Sequence, residues 1–253
     1  MINNRGQIGI WVIIALVIAG VIIAFFALNK NVLPTSTNND KDFVSSLKKC
    51  ASDPAQEIIE KMLEQGGYIN NSNYKVLDGK NISYLCQNMG YYHTCINQHP
   101  MIIDDELKQI KDHIYPIVNN CFSNLKADLE KQNYKVNMSN MTINTSFGND
   151  KLYIDINREI KVQKNDALQS YSNYNVEVNT PLYDLTKVAI DVANNEQRFC
   201  YFEYLGYEII YPRFEISIYS FDDATKIYTI KDKRTDKDMN VAIRSCALPQ
   251  GVI

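Results

Sequence analysis

The chain is poor in the residues that enzymes most often use for chemistry. It has three histidines, one tryptophan and only ten glycines in 253 residues. No Gly-x-Ser-x-Gly, phosphate-binding glycine loop, His-Glu-x-x-His or dinucleotide fingerprint occurs, so the reaction classes that carry those motifs have no foothold. No cofactor is implied. Neither sign of charge dominates: 26 basic residues face 29 acidic ones, for a net charge of −3. A mildly acidic chain without a basic stripe does not suit nucleic acid as a partner. Cysteine is present, but none of the six forms a Cys-x-x-Cys pair. The acidic pairs Asp104–Asp105 and Asp222–Asp223 read as helix starts, turns and solvated surface rather than as paired catalytic acids.

Long apolar runs are also missing, with one exception. Ile8 to Leu28 contains no charged and no strongly polar side chain. As a helix it would be roughly 31 Å long, about the thickness of the bilayer hydrocarbon core. It is apolar all round, whereas a buried soluble helix keeps a polar face. No Ala-x-Ala cleavage site follows it. The segment is expected to stay as a single-pass membrane anchor in contact with lipid. Arg5 and the terminal amine lean towards a cytoplasmic N-terminus, which puts the bulk of the chain outside. Six cysteines spread through that bulk point the same way, to disulfides in an oxidising compartment. Five sequons add a weaker signal: Asn70, Asn81, Asn137, Asn140 and Asn144 each precede x-Ser/Thr. At this asparagine content about three would arise by chance.

The border Arg5-Gly6-Gln7, followed at once by the apolar run, resembles the short R/K-G-Q signal of archaeal type IV pilin-like proteins. The resemblance implies cleavage between Gly6 and Gln7 by a prepilin-type peptidase, with the apolar helix retained. It covers only about the first 28 residues. Those pilins usually carry Glu at the fifth mature position, where Trp11 stands, so packing into a filament core is the open part of the resemblance. The start, a Cys-bearing helix and the segment Gln65-Gly66-Gly67-Tyr68 are together similar to a group of uncharacterised archaeal membrane-anchored proteins, which implies no activity.

Four regions are expected: the signal-like tail and anchor (1–28), a flexible linker rich in Asn, Ser and Thr (29–42), a helical region with a Cys-containing loop (43–133), and a β-rich α+β region (134–253). Asp53 caps a helix with Pro54 at its first position and Gly66-Gly67 at its end; residues 42–50 form, at most, an earlier turn across a Pro54 kink. Residues 68–100 read as irregular. Asp104-Asp105-Glu106 opens a second helix that runs to about Gln132, kinked at Pro116. Alternation then takes over. Met141 to Phe147 and Leu152 to Val162 read as a hairpin, with Tyr174 to Val178 continuing the sheet. A helix after Thr180-Pro181 and three further strands complete an α+β architecture with a mostly antiparallel sheet.

Two site readings remain open for Cys86, His93, Cys95 and His99. They can close a tetrahedral zinc site, or Cys86 and Cys95 can join across a short loop and leave the histidines on the surface. The order of elements suggests Cys50 with Cys121 and Cys200 with Cys246, one choice among 15 connectivities. Tyr204, Tyr207, Tyr211 and Tyr219 read as half-buried strand residues, with a protein interface as the other reading. The functional expectation is a non-enzymatic, membrane-anchored cell-surface structural or interaction protein, with the resemblance implying a pilin-like subunit that self-assembles or meets surface partners. The alternative is a membrane-tethered enzyme or zinc-binding domain centred on Cys86 to His99.

Overall fold

The computed structural model describes residues 37–246, apart from Tyr91 and Asp166. The apolar segment, Gly6, Gln7 and linker residues 29–36 lie outside the described residues. Among those described, no helix is long and apolar enough to cross a membrane. A compact unit begins at Ser46.

Helix α1 spans Thr37–Gln65. Residues 37–42, expected as linker, are therefore helical, and Asp53 and Pro54 lie mid-helix rather than at its start. The apolar face explains the longer helix. Leu47, Ala51, Ala55, Ile58, Ile59, Met62 and Leu63 recur at helical spacing on both sides of Pro54, and all are buried. Pro54 removes only one N–H, the one that would serve the carbonyl of Cys50. Gln56 donates to Glu60 one turn on, at 2.7 Å.

Residues 68–100 are not irregular. They contain β1 (Tyr74–Leu77), β2 (Lys80–Gln87) and β3 (Ile96–Asn97). Strand β2 escaped the alternation rule because it is covered on both faces. Ile82, Ser83, Tyr84, Leu85 and Cys86 are buried consecutively, so no period of two appears. Helix α2 then spans Ile102–Lys131 and contains Pro116. Its buried stripe is Ile102, Glu106, Ile110, Ile114, Val118 and Phe122. Leu107, Cys121, Leu125 and Leu129 are only half-buried, and Ile117 is exposed.

The β-rich part comprises β4 (Lys135–Met138), β5 (Thr142–Gly148), β6 (Lys151–Asn157), β7 (Ile160–Lys164), β8 (Ala167–Tyr171) and β9 (Tyr174–Asn179). Then come helices α3 (Leu182–Phe199) and α4 (Tyr204–Ile210), and strands β10 (Phe214–Ser220), β11 (Thr225–Asp232) and β12 (Lys237–Arg244). The expected hairpin is β5–β6, in register from Thr142–Asn157 to Gly148–Lys151. The long strand anticipated from Leu152 to Val162 is broken at Arg158-Glu159. Strand β6 joins the sheet β5-β6-β9, while β7 joins a second sheet, β4-β7-β8.

The largest sheet runs β1-β2-β12-β11-β10, with β3 paired to β2. Its pairs are antiparallel except β2–β12, which is parallel. This sheet draws strands from both the expected helical and the expected β-rich region, with β2 a central strand beside β12, the last of the described strands. Ile82 and Tyr84 of β2 pack with Ile227 and Ala242, and the Tyr84 hydroxyl lies 3.0 Å from Thr225 Oγ1. Helix α3 packs against this sheet, and α2 packs against β5 and β4.

Two polar clusters tie the layers together. The Arg213 guanidinium donates to Asp184 at the start of α3 (2.7 Å), to Asp232 at the end of β11 (2.7 Å) and to Asp150 in the β5–β6 turn (2.5 Å). Glu196 of α3 is fully buried and accepts from the Tyr228 hydroxyl and from Lys226 Nζ, the latter at 2.7 Å. All six cysteines are bonded: Cys50–Cys121 joins α1 to α2, Cys86–Cys95 closes the loop after β2, and Cys200–Cys246 joins the end of α3 to the segment after β12. Their Cα separations are 6.3, 5.3 and 5.5 Å, within the range a disulfide spans.

Candidate functional site

One polar depression is built around the end of α1. The Gly67 N–H donates to the Met62 carbonyl at 2.8 Å, closing the helix in the six-to-one manner of a Schellman turn. Gly66 and Gly67 have φ of +76° and +86°, where L side chains are strained. Space forbids a side chain as well. A Cβ on Gly66 would lie 2.9 Å from the Asn240 carbonyl oxygen, and one on Gly67 would lie 2.6 Å from Glu106 Oε1.

The turn delivers Tyr68 beneath the first turns of α2. Its hydroxyl donates to Asp105 Oδ2 at 2.9 Å, and its ring meets the His99 ring at a centroid distance of 4.1 Å. Gln109 locks the neighbouring backbone: its side-chain oxygen accepts from the Ile69 N–H at 3.1 Å. The resulting cleft has a volume of about 620 Å³, with Asn70, His113 and the Lys108–Asp112 pair at its rim. That volume suits a small molecule or a peptide side chain.

The electrostatics hold Tyr68 and His99 uncharged. Burial, reinforced by the hydrogen bond to Asp105, pushes the Tyr68 phenol well above its usual range, so it is a neutral donor. Burial pulls the His99 imidazole below its usual value, against a smaller opposing pull from Asp105. It is therefore uncharged at neutral pH. Behind the cleft, Glu106 is fully buried; Thr186 Oγ1 donates to its Oε1 at 2.8 Å, and its Oε2 has no partner. Burial raises this carboxyl well above the usual carboxylate range, so it is held as the neutral acid. The one hydroxyl in the cleft that meets a carboxylate, that of Tyr68, is held neutral, and the cleft offers fixed hydrogen-bond donors and acceptors.

The expected site residues divide as follows. Cys86 and Cys95 are joined to each other, so neither sulfur is a thiolate that can bind zinc. His93 is exposed, while His99 faces Tyr68 in the cleft. The four residues do not form a tetrad, and no His/Cys/Asp/Glu cluster among the described residues is arranged to hold a metal ion. Asp105 belongs to the cleft; its neighbour Asp104 is exposed. Asp223 sits in the β10–β11 turn and accepts from Lys75 at 2.7 Å. The five sequon asparagines all have exposed side chains.

The tyrosine-rich stretch is not a strand. Tyr204, Tyr207 and Tyr211 belong to α4 and its cap, and only Tyr219 lies on β10. Glu203 starts this helix by accepting from the Gly206 N–H at 3.3 Å. The helix buries none of its residues fully. Phe199, Leu205, Ile209 and Ile210 stand out beside Tyr211, with Ile209 82% and Ile210 70% exposed. Sequence patterning missed both this patch and the roles of Gln109 and His113. A helix of seven residues is too short for a periodic signal, and the cleft is assembled from segments far apart in the chain. Comparison of the chain with protein-family models, with curated proteins and with solved structures gives no match.

Proposed function

We propose that the protein is a non-enzymatic, membrane-anchored cell-surface protein whose external domain is a structural or interaction module, with a pilin-like subunit as its most specific form. The observation that carries this reading is the complete pairing of the six cysteines in three disulfides. Such pairing persists in oxidising compartments and is rare in the cytosol. The apolar run Ile8 to Leu28 supplies the anchor, and Arg5-Gly6-Gln7 supplies the processing border. One feature supports interaction: the exposed face of α4 has the aromatic and aliphatic composition of a contact surface.

Native membranes provide the test. The protein is expected to stay in the pellet after an alkaline carbonate wash, to be shaved from intact cells by protease, and to begin at Gln7 or Met1. Recovery in the soluble cytosol with six alkylatable thiols overturns the proposal. A mature N-terminus beyond residue 28 removes the anchor.

A further inference from the structure

The sequons are not equivalent in the fold. Asn81 lies at the start of β2, and the hydroxyl of its sequon belongs to Ser83, which is completely buried in the sheet. Asn70 stands at the rim of the Tyr68 cleft. The other three fall in one short stretch. Asn137 is on β4, Asn140 is in the connection to β5, and Asn144 is on β5. These two strands end their respective sheets. Alternation turns Lys135 and Asn137 outward on β4, and Thr142, Asn144 and Ser146 outward on β5. In all three sequons the asparagine and the hydroxyl residue two positions on (Ser139, Thr142 and Ser146) are exposed. Asn140 has the further advantage of lying outside the strand ladders, and its Thr142 is the first residue of β5, so seating this sequon frays at most one end of a ladder.

We propose that residues 137–144 form an N-glycosylation site, with Asn140 as the principal acceptor and Asn137 and Asn144 as flanking ones. The inference rests on the external location proposed above. The donor is a polyprenol-phosphate-linked oligosaccharide. The asparagine amide nitrogen forms a bond to the anomeric carbon while the bond from that carbon to the phosphate oxygen breaks. The polyprenol phosphate leaves with the electron pair, the amide gives up one proton, and nothing is oxidised or reduced. A glycan here adds bulk and solubility at the ends of two sheets, where unpaired strands otherwise invite association.

Trypsin releases all three acceptors on one peptide, Val136 to Lys151, because no Lys or Arg lies between Lys135 and Lys151. Mass spectrometry of the full-length protein from native membranes is expected to find this peptide shifted by whole sugar residues. Asn140→Gln and, separately, Thr142→Ala are expected to remove the principal increment; the second variant keeps the asparagine and loses only the acceptor motif. The peptide found solely at its unmodified mass overturns the proposal, as does an unchanged increment in both variants. The same unreduced sample separates this failure from that of the surface reading. A protein six hydrogens lighter than its reduced form, two for each disulfide, and carrying an unmodified peptide leaves the external location standing and the glycan refuted.

Discussion

The three disulfides close loops of very different size, and that difference makes a ranked prediction. The separations are 71 residues for Cys50–Cys121, 46 for Cys200–Cys246 and 9 for Cys86–Cys95. Each bond narrows the unfolded ensemble by the entropy of closing its loop. At 25 °C this gives about 4.4, 4.0 and 2.6 kcal/mol for the three in that order. Replacing each pair by alanine, one pair at a time, therefore perturbs one loop and leaves two closed. For a unit of about 200 residues, 1 kcal/mol corresponds to about 2–4 °C. The Cys50–Cys121 variant is expected to melt roughly 10–15 °C below the parent, and the Cys86–Cys95 variant roughly 5–10 °C below it. Burial adds a correction in the other direction, because Cys86 and Cys95 are almost wholly buried while Cys50 and Cys121 are half-exposed. Removing the two sulfurs costs packing at the buried pair, and this narrows the gap without reversing it. Guanidinium and thermal unfolding, followed by near-ultraviolet circular dichroism of the tyrosines, measure all three variants. Equal losses, or the largest loss for Cys86–Cys95, would refute loop entropy as the main contribution of these bonds.

Gly67→Ala should destabilise by about 1–3 kcal/mol from backbone strain alone, and more because its Cβ meets Glu106. Gly79→Ala is the control: its φ is also positive, at +78°, but nothing lies within 4 Å, so thermal melting should fall by less. Glu106→Gln tests the buried acid. Because the folded protein holds the Glu106 proton above the pH at which the unfolded chain releases it, stability should decline as pH rises from the ordinary carboxylate range towards the raised folded value. The glutamine variant should lose that part of the slope in denaturant titrations at a series of pH values and gain stability at neutral pH; an unchanged slope would count against a neutral Glu106. Arg213→Met leaves the buried Asp232 without its main partner. Burial alone would raise the Asp232 carboxyl, but Arg213 holds it below the usual range. The variant should lose about 3 kcal/mol at neutral pH and less in acid, where Asp232 becomes protonated; a loss independent of pH would contradict the pairing.

Helix α2, the β5–β6 hairpin, α3 and β10 were legible because each has one wet face, and its period is written in the order of its residues, whereas β11 and β12 bury consecutive residues, Ile227–Tyr228 and Val241–Ile243. Element order suggested Cys50–Cys121 and Cys200–Cys246 as one choice among 15 connectivities and left Cys86 and Cys95 open to zinc; the fold places all three pairs at disulfide distance. The Tyr68 cleft was only partly legible. Gly66-Gly67 announced a helix end, but nothing local tells that Tyr68 meets His99 and Asp105, 31 and 37 positions on. His99 stood out only as a zinc-ligand candidate, and the Cys86–Cys95 bond settled the fate of the thiols beside it.

By itself, the order of residues determined the elements that carry amphipathic periodicity, their α+β class and the distribution of the cysteines. Tertiary structure alone decided that α1 continues through Pro54, since buried side chains on both sides outweigh one missing hydrogen bond. It also decided that β2 is a central strand beside β12. A strand covered on both faces loses the alternation that marks a one-sided strand, and its partner lies at the far end of the chain. Periodicity records how a segment meets water, whereas a pairing between distant segments depends on what else is packed around them.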